Sequence, residues 1–180
     1  MLHVSNVSTA DQLVLTLQIG IGAALGGVIG WERDRAGKSA GIRTHMLVAA
    51  SSAFAVGLGE LLLAGGSSGD HTRVLHAVIT GIGFIGGGMI WTAKKSRGPA
   101  GLTSAATIML VAVIGAAAGL GAPIVATTVT IFALITLSGV RRIENMFRSR
   151  RSQHDDEYED GSAYEDGDDD TNGDGAIAVL

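Results

Sequence analysis

Apolar positions in this chain do not follow a helical or strand period against a polar background. They come in five near-continuous runs, at residues 13–31, 46–64, 74–92, 105–121 and 124–140, separated by short polar stretches. Read as α-helix, runs of 17 to 19 residues are about 26–28 Å long, close to the ~30 Å hydrocarbon core of a bilayer. A soluble protein would need other helices with polar outer faces to enclose such runs, and none precedes residue 141. The pattern predicts an all-α membrane protein, a five-helix transmembrane bundle. Residues 1–12 carry no Lys or Arg, so the first run lacks the basic flank of a cleaved signal peptide and is expected to stay.

Charge changes the picture at the C-terminus. The formal net charge of −4 hides two opposed parts: residues 1–151 hold 13 basic and 6 acidic residues, whereas residues 152–180 hold 11 acids and no Lys or Arg. That division predicts a transmembrane domain at 1–140, a basic juxtamembrane segment at 141–151 and a disordered acidic tail at 152–180, the last lacking any apolar periodicity. Arg33, Arg35, Lys38 and Arg43, then Lys94, Lys95 and Arg97, then the five arginines of 141–151 make 12 of the 13 basic residues and fall on one side of five alternating spans. By the positive-inside rule that side is cytoplasmic, with the N-terminus outside and the C-terminus inside a plasma (inner cell) membrane. The absence of cysteine removes disulfide, thiolate-metal and cysteine-nucleophile chemistry. Aromatics at 4%, and basic residues confined to short loops, speak against a nucleic-acid partner.

The first and third runs resemble each other. Gly20-Ile21-Gly22 matches Gly81-Ile82-Gly83 at an offset of 61, as do Gly26-Gly27 with Gly87-Gly88 and Ile29 with Ile90. After a one-residue slip, Trp31 matches Trp91 and Ala40-Gly41-Ile42 matches Ala100-Gly101-Leu102. Duplication would make a parallel repeat of two-helix units with the fifth helix unpaired, although glycine-rich apolar segments also match by chance. GxxxG steps at Gly22, Gly26 and Gly30, at Gly83 and Gly87, and at Gly115 and Gly119 predict close helix packing. The GxGxxG match of Gly81, Gly83 and Gly86 lies inside an apolar span, without the strand and acidic residue that a dinucleotide site requires.

Ionisable residues inside spans are costly and point to function. Glu60, near the outer end of the second run, is a natural ligand for a hard cation such as Mg²⁺. His76, near the outer start of the third, could join it in a cation or proton relay. Both also lie close enough to the outer interface to remain solvated. The loop Glu32-Arg33-Asp34-Arg35 with Lys38, Arg43 and His45 is either an anion or regulatory contact or a topogenic loop held by local ion pairs. Ser67, Asp70 and His71 are adjacent only in sequence, which is not the spatial arrangement a hydrolytic triad needs. No catalytic residue and no resident cofactor is expected.

Three motifs, in order, resemble the MgtC/SapB family: Gly30-Trp31-Glu32-Arg33 with Ala40-Gly41-Ile42-Arg43-Thr44-His45; Gly81-Ile82-Gly83-Phe84-Ile85-Gly86 after Asp70 and Arg73; and Gly101-Leu102-Thr103-Ser104. The resemblance covers roughly residues 15–140. It implies a prokaryotic inner-membrane protein linked to growth at low magnesium, either a Mg²⁺-transporting or cation-handling component or a non-transporting regulator that binds another membrane protein. The positions that carry over are Glu32, Arg33, Arg43, Thr44, His45, Asp70 and Arg73. Two departures stand out: Arg97-Gly98-Pro99-Ala100-Gly101-Leu102 is longer than the family's direct Arg-Gly-Leu run, and the acidic tail stands where longer members carry a soluble domain. Besides the lipid bilayer, the expected partner is a second copy of the chain or another membrane protein, since five spans are few for a whole transport path.

Overall fold

The computed structural model describes residues 7–64, 70, 72–93 and 101–139. The expectations for the Lys94, Lys95 and Arg97 loop, the basic segment 141–151 and the acidic tail fall outside these residues. Contacts divide the chain into residues 1–138 and 139–180, and the helices belong to the first unit. They are α1 (Thr9–Arg35), α2 (Ile42–Ala64), α3 (Thr72–Ala93), α4 (Leu102–Gly119) and α5 (Pro123–Gly139). The first four are long and apolar enough to cross a membrane, while α5 is a shorter apolar helix that stops at the edge of the described region. The described residues contain no strand. The chain is therefore an all-α, multi-pass membrane protein, as its apolar runs predict.

Local chemistry sets the ends. Ser8 caps α1, its hydroxyl accepting from the Ala10 N–H while the Asp11 carboxylate accepts from the Ser8 N–H, a reciprocal pairing that satisfies otherwise orphaned donors. That box starts α1 at Thr9, four residues before the expected 13, and the helix also runs past Trp31 to Arg35. Its 27 residues span about 40 Å, more than the apolar core of a bilayer. Gly101, at φ 105°, turns the chain into α4 and fixes its start at Leu102, at the end of the stretch that departs from the resembled motif. Gly121, at φ 76°, and Pro123 at the first position of α5 make the return a tight one.

Successive helices run antiparallel, so α1, α3 and α5 end, and α2 and α4 begin, at the end carrying Trp31, Arg35 and Lys38, called here the basic end. The core is built on α4, of which 61% of the apolar window is buried against 11% for α3. Ile29 of α1, Ala49 of α2, Val111, Ile114 and Ala118 of α4, and Ala126 and Ala133 of α5 form one buried cluster.

Glycines decide how close the helices come. A Cβ added at Gly26 would lie 2.6 Å from the His45 carbonyl oxygen and 2.7 Å from the Ala49 Cβ, and one at Gly30 would lie 2.6 Å from the Ile42 Cα. From α4, a Cβ at Gly115 or Gly119 would overlap the backbone of Ala49 or Ala53. Thus α2 is held backbone to backbone between glycine faces of α1 and α4. Gly83 and Gly87 behave otherwise: nothing lies within 4 Å of a Cβ at either, so the packing expected of this pair is not made among the described residues. The cause is the position of α3, which meets α4 less closely: a Cβ added at Gly86 would lie 3.7 Å from the Ala105 Cβ, an ordinary contact. These contacts leave the sequence repeat unconfirmed.

Candidate functional site

At the end opposite the basic one, the final turns of α2 and α4 come beside the start of α1 and line a pocket of about 200 Å³. Asp11, Gln18, Gly57, Glu60, Gly119 and Leu120 are among its lining residues. Glu60 is half-buried and Asp11 exposed. Gly57 leaves the room: a Cβ there would meet Leu15 and, at 3.4 Å, the Gln18 Oε1. The pocket thus offers carboxylate and carboxamide oxygens, the donors that hard cations take. The carbonyl ends of α2 and α4 point their negative dipole ends the same way. Among the described residues no group of three or more His, Cys, Asp or Glu side chains could hold a metal as an all-protein cage.

Exposed His76 on α3 does not line this pocket. Sequence reasoning missed Asp11 and Gln18. Asp11 lay outside a span drawn from residue 13, although the Ser8-x-x-Asp11 spacing is a readable helix-start signal. Gln18 is uncharged and gives no signal of the kind that marks an ionisable residue within an apolar run.

Asp70 stands just before α3, where its Oδ1 accepts from the Thr72 N–H at 2.9 Å and the Thr72 hydroxyl at 2.8 Å. These two hydrogen bonds hold its carboxyl below the usual carboxylate range. The Asp70 carbonyl also accepts from the Arg73 N–H. Both residues thus serve the start of α3.

At the basic end, the charged loop resolves into separate tasks. Arg33 is 3% exposed and its Nε and Nη2 donate to the Glu32 Oε2, each at 2.5 Å. Asp34 caps α2 by accepting the Ile42 N–H at 3.2 Å, and it fills the space beside Gly41 that a Cβ would need. The Arg35 guanidinium lies 4.1 Å from the centre of the Trp31 ring, a cation–π contact. His45 is fully buried, with Nδ1 2.9 Å from the Gly41 carbonyl oxygen. A carbonyl can only accept, so Nδ1 is the donor, which in the neutral ring leaves Nε2 as the acceptor, and Nε2 has no partner among the described residues. Lys38, Arg43 and Thr44 are exposed. The two acids of this loop are therefore spent on structure, and the surplus charge left at the surface is positive.

The chain matches the model of the MgtC family over residues 7–146. It is 37% identical to protein SrpB of Synechococcus elongatus over 152 residues, covering 79% of this chain and 83% of SrpB. It is 40% identical to the "Putative magnesium transporter YhiD" of Escherichia coli over 100 residues, 53% of this chain and 46% of YhiD. Protein MgtC of Brucella abortus is 39% identical over 110 residues, 60% of this chain and 43% of that protein. The chain therefore spans most of SrpB but less than half the length of the other two. No solved structure matches it significantly.

Proposed function

The chain belongs to the MgtC family, and from that premise we propose that it handles Mg²⁺ at the membrane, taking the ion at the pocket lined by Asp11, Gln18 and Glu60. The observation that carries this reading is the convergence of α1, α2 and α4 on one oxygen-lined pocket at a membrane-facing end. Mg²⁺ gives up its waters reluctantly and binds through one or two carboxylates while keeping several of them. An open pocket of about 200 Å³ with two carboxylates suits a largely hydrated ion better than a tight cage would. The relative YhiD carries magnesium transport in its name, which agrees with the choice of ion. The charge distribution supports an orientation with the pocket on the outer face, the N-terminus outside and the C-terminus in the cytoplasm. No catalytic step is involved.

A specific observation favours the non-transporting alternative beyond that point. The α1–α2–α4 seam is closed backbone to backbone at Gly26, Gly30, Gly115 and Gly119, so the described part of one chain offers no channel along it. Transport would then need a second copy, whereas a regulator acting on another membrane protein would need only the occupied pocket and an outer face.

Titration of the purified protein with Mg²⁺ should show saturable binding, weakened roughly tenfold by Glu60→Gln and further by adding Asp11→Asn. Wild type reconstituted in liposomes should pass Mg²⁺ in a Glu60-dependent way if it transports; binding without flux assigns the regulator. Absence of Mg²⁺ binding by folded protein would overturn the reading.

A further inference from the structure

A second recess, of about 400 Å³, runs between α2 and α3. The two helices touch near the end opposite the basic one, where a Cβ on Gly59 would meet Val74, and then part. Leu47, Ser51 and Ala55 of α2 face Ala77, Gly81 and Ile85 of α3 across the gap. Both walls belong to helices long and apolar enough to cross a membrane. The lining is apolar with a floor of small residues, and rim residues Leu47 (68% exposed) and Ile85 (44%) stand open beside it. A narrow apolar trough at that depth fits an acyl chain.

What makes it selective lies one turn further along α2. Residues 43, 47, 51 and 55 succeed one another at four-residue steps and therefore share one helix face, so Arg43 stands at the head of the row that forms the α2 wall. Arg43 is exposed and forms no ion pair among the described residues, while the acids nearest in sequence are engaged elsewhere: Glu32 by Arg33 and Asp34 by the Ile42 N–H. Thr44, exposed at the head of the adjacent row of 48 and 52, adds a hydroxyl donor. Exposed Arg35 and Lys38 reinforce the positive potential at the same end. A guanidinium matches a phosphate with two parallel hydrogen bonds.

We infer that the α2–α3 trough is a binding site for one anionic phospholipid, its acyl chain lying between Leu47 and Ile85 and its phosphate on Arg43. The charge complementarity chooses the occupant: an apolar trough alone would accept any lipid, and a protein helix would leave Arg43 without an anion. The bound lipid fills the gap beside α3, the least buried of the long helices, and so ties it to the bundle. This inference is independent of the cation pocket, which lies at the other end.

Native mass spectrometry of the full chain, released from detergent with phosphatidylglycerol or with phosphatidylcholine of matched chains, tests it. Wild type should retain one phosphatidylglycerol in preference to phosphatidylcholine. Arg43→Gln should cut that preference about fivefold, the weight of one basic contact to an anionic headgroup, while phosphatidylcholine retention stays as it was. Gly81→Leu, placed where nothing lies within 4 Å of a Cβ, should fill the trough and abolish retention of both. Ser51→Leu does the same from the opposite wall if the first variant fails to fold. Inorganic phosphate in excess should not displace the lipid. Equal retention of the two lipids, a preference that survives Arg43→Gln, or lipid binding undiminished in folded Gly81→Leu would each overturn the site. A dimer of wild type that retains no lipid and dissociates in Gly81→Leu would give the trough to a second copy instead.

Discussion

Asp70 shows how a single carboxylate can govern the start of a helix. Its two hydrogen bonds from Thr72 favour the ionised form, so its folded pKa lies below its unfolded one. The stabilisation is therefore fully present above the unfolded value, about 3.9, and is lost as pH falls through the folded value. Hydrogen exchange should find the first turn of α3 equally protected between about pH 5 and 7 and progressively less so below about 4. Asp70→Ala should remove that protection at neutral pH, and Asp70→Asn should keep most of it because the amide oxygen still accepts. Unchanged exchange in the Ala variant would show that the cap is idle. The basic end works differently. Arg33 is nearly enclosed, and truncating Glu32 would leave a buried guanidinium uncompensated, which is costlier than losing an exposed pair.

At the scale of elements, the GxxxG steps divide into those that meet backbone and those that meet nothing. Alanine is the better helix former by up to about 1 kcal/mol, and overpacking a tight seam costs about 1–3 kcal/mol. Gly26→Ala and Gly115→Ala should therefore destabilise, because the new Cβ enters space held by His45 and Ala49. Gly87→Ala should be neutral or stabilising, with open space around it. Thermal unfolding in detergent measures the order, and a Gly87 variant that loses more than the Gly26 variant would mean that α3 is packed against something beyond the described residues. The motif was legible in the sequence at all three places. Which copy is used was not, since spacing describes one helix surface and says nothing of its neighbour.

For the whole molecule, the distribution of 12 basic residues on one side predicts the orientation. A chain without cysteine accepts single labels directly. Ser68→Cys, between α2 and α3, should react with a membrane-impermeant thiol reagent in intact cells, and Ser39→Cys, between α1 and α2, only after permeabilisation. The inverse pattern would turn the bundle over and put the Asp11–Glu60 pocket inside. Half of that pocket is legible in the sequence: Glu60 is an acid within an apolar run, but nothing local links it to Asp11 and Gln18 more than forty residues earlier.

The helices themselves follow from sequence because each span must satisfy its own backbone hydrogen bonds in a bilayer, which makes a long apolar run a helix whatever its neighbours are. Their limits also follow where capping residues are read, as Ser8, Gly101 and Gly121 show. Partnership between helices does not. In lipid every face is apolar and none is driven to bury itself, so the hydrophobic pattern carries no record of which side turns inward. Only the tertiary structure put α4 at the centre, left α3 open along its glycine face, and brought oxygen ligands from α1 and α2 into one pocket. Close backbone approach decided those pairings, and it depends on where small residues meet in space.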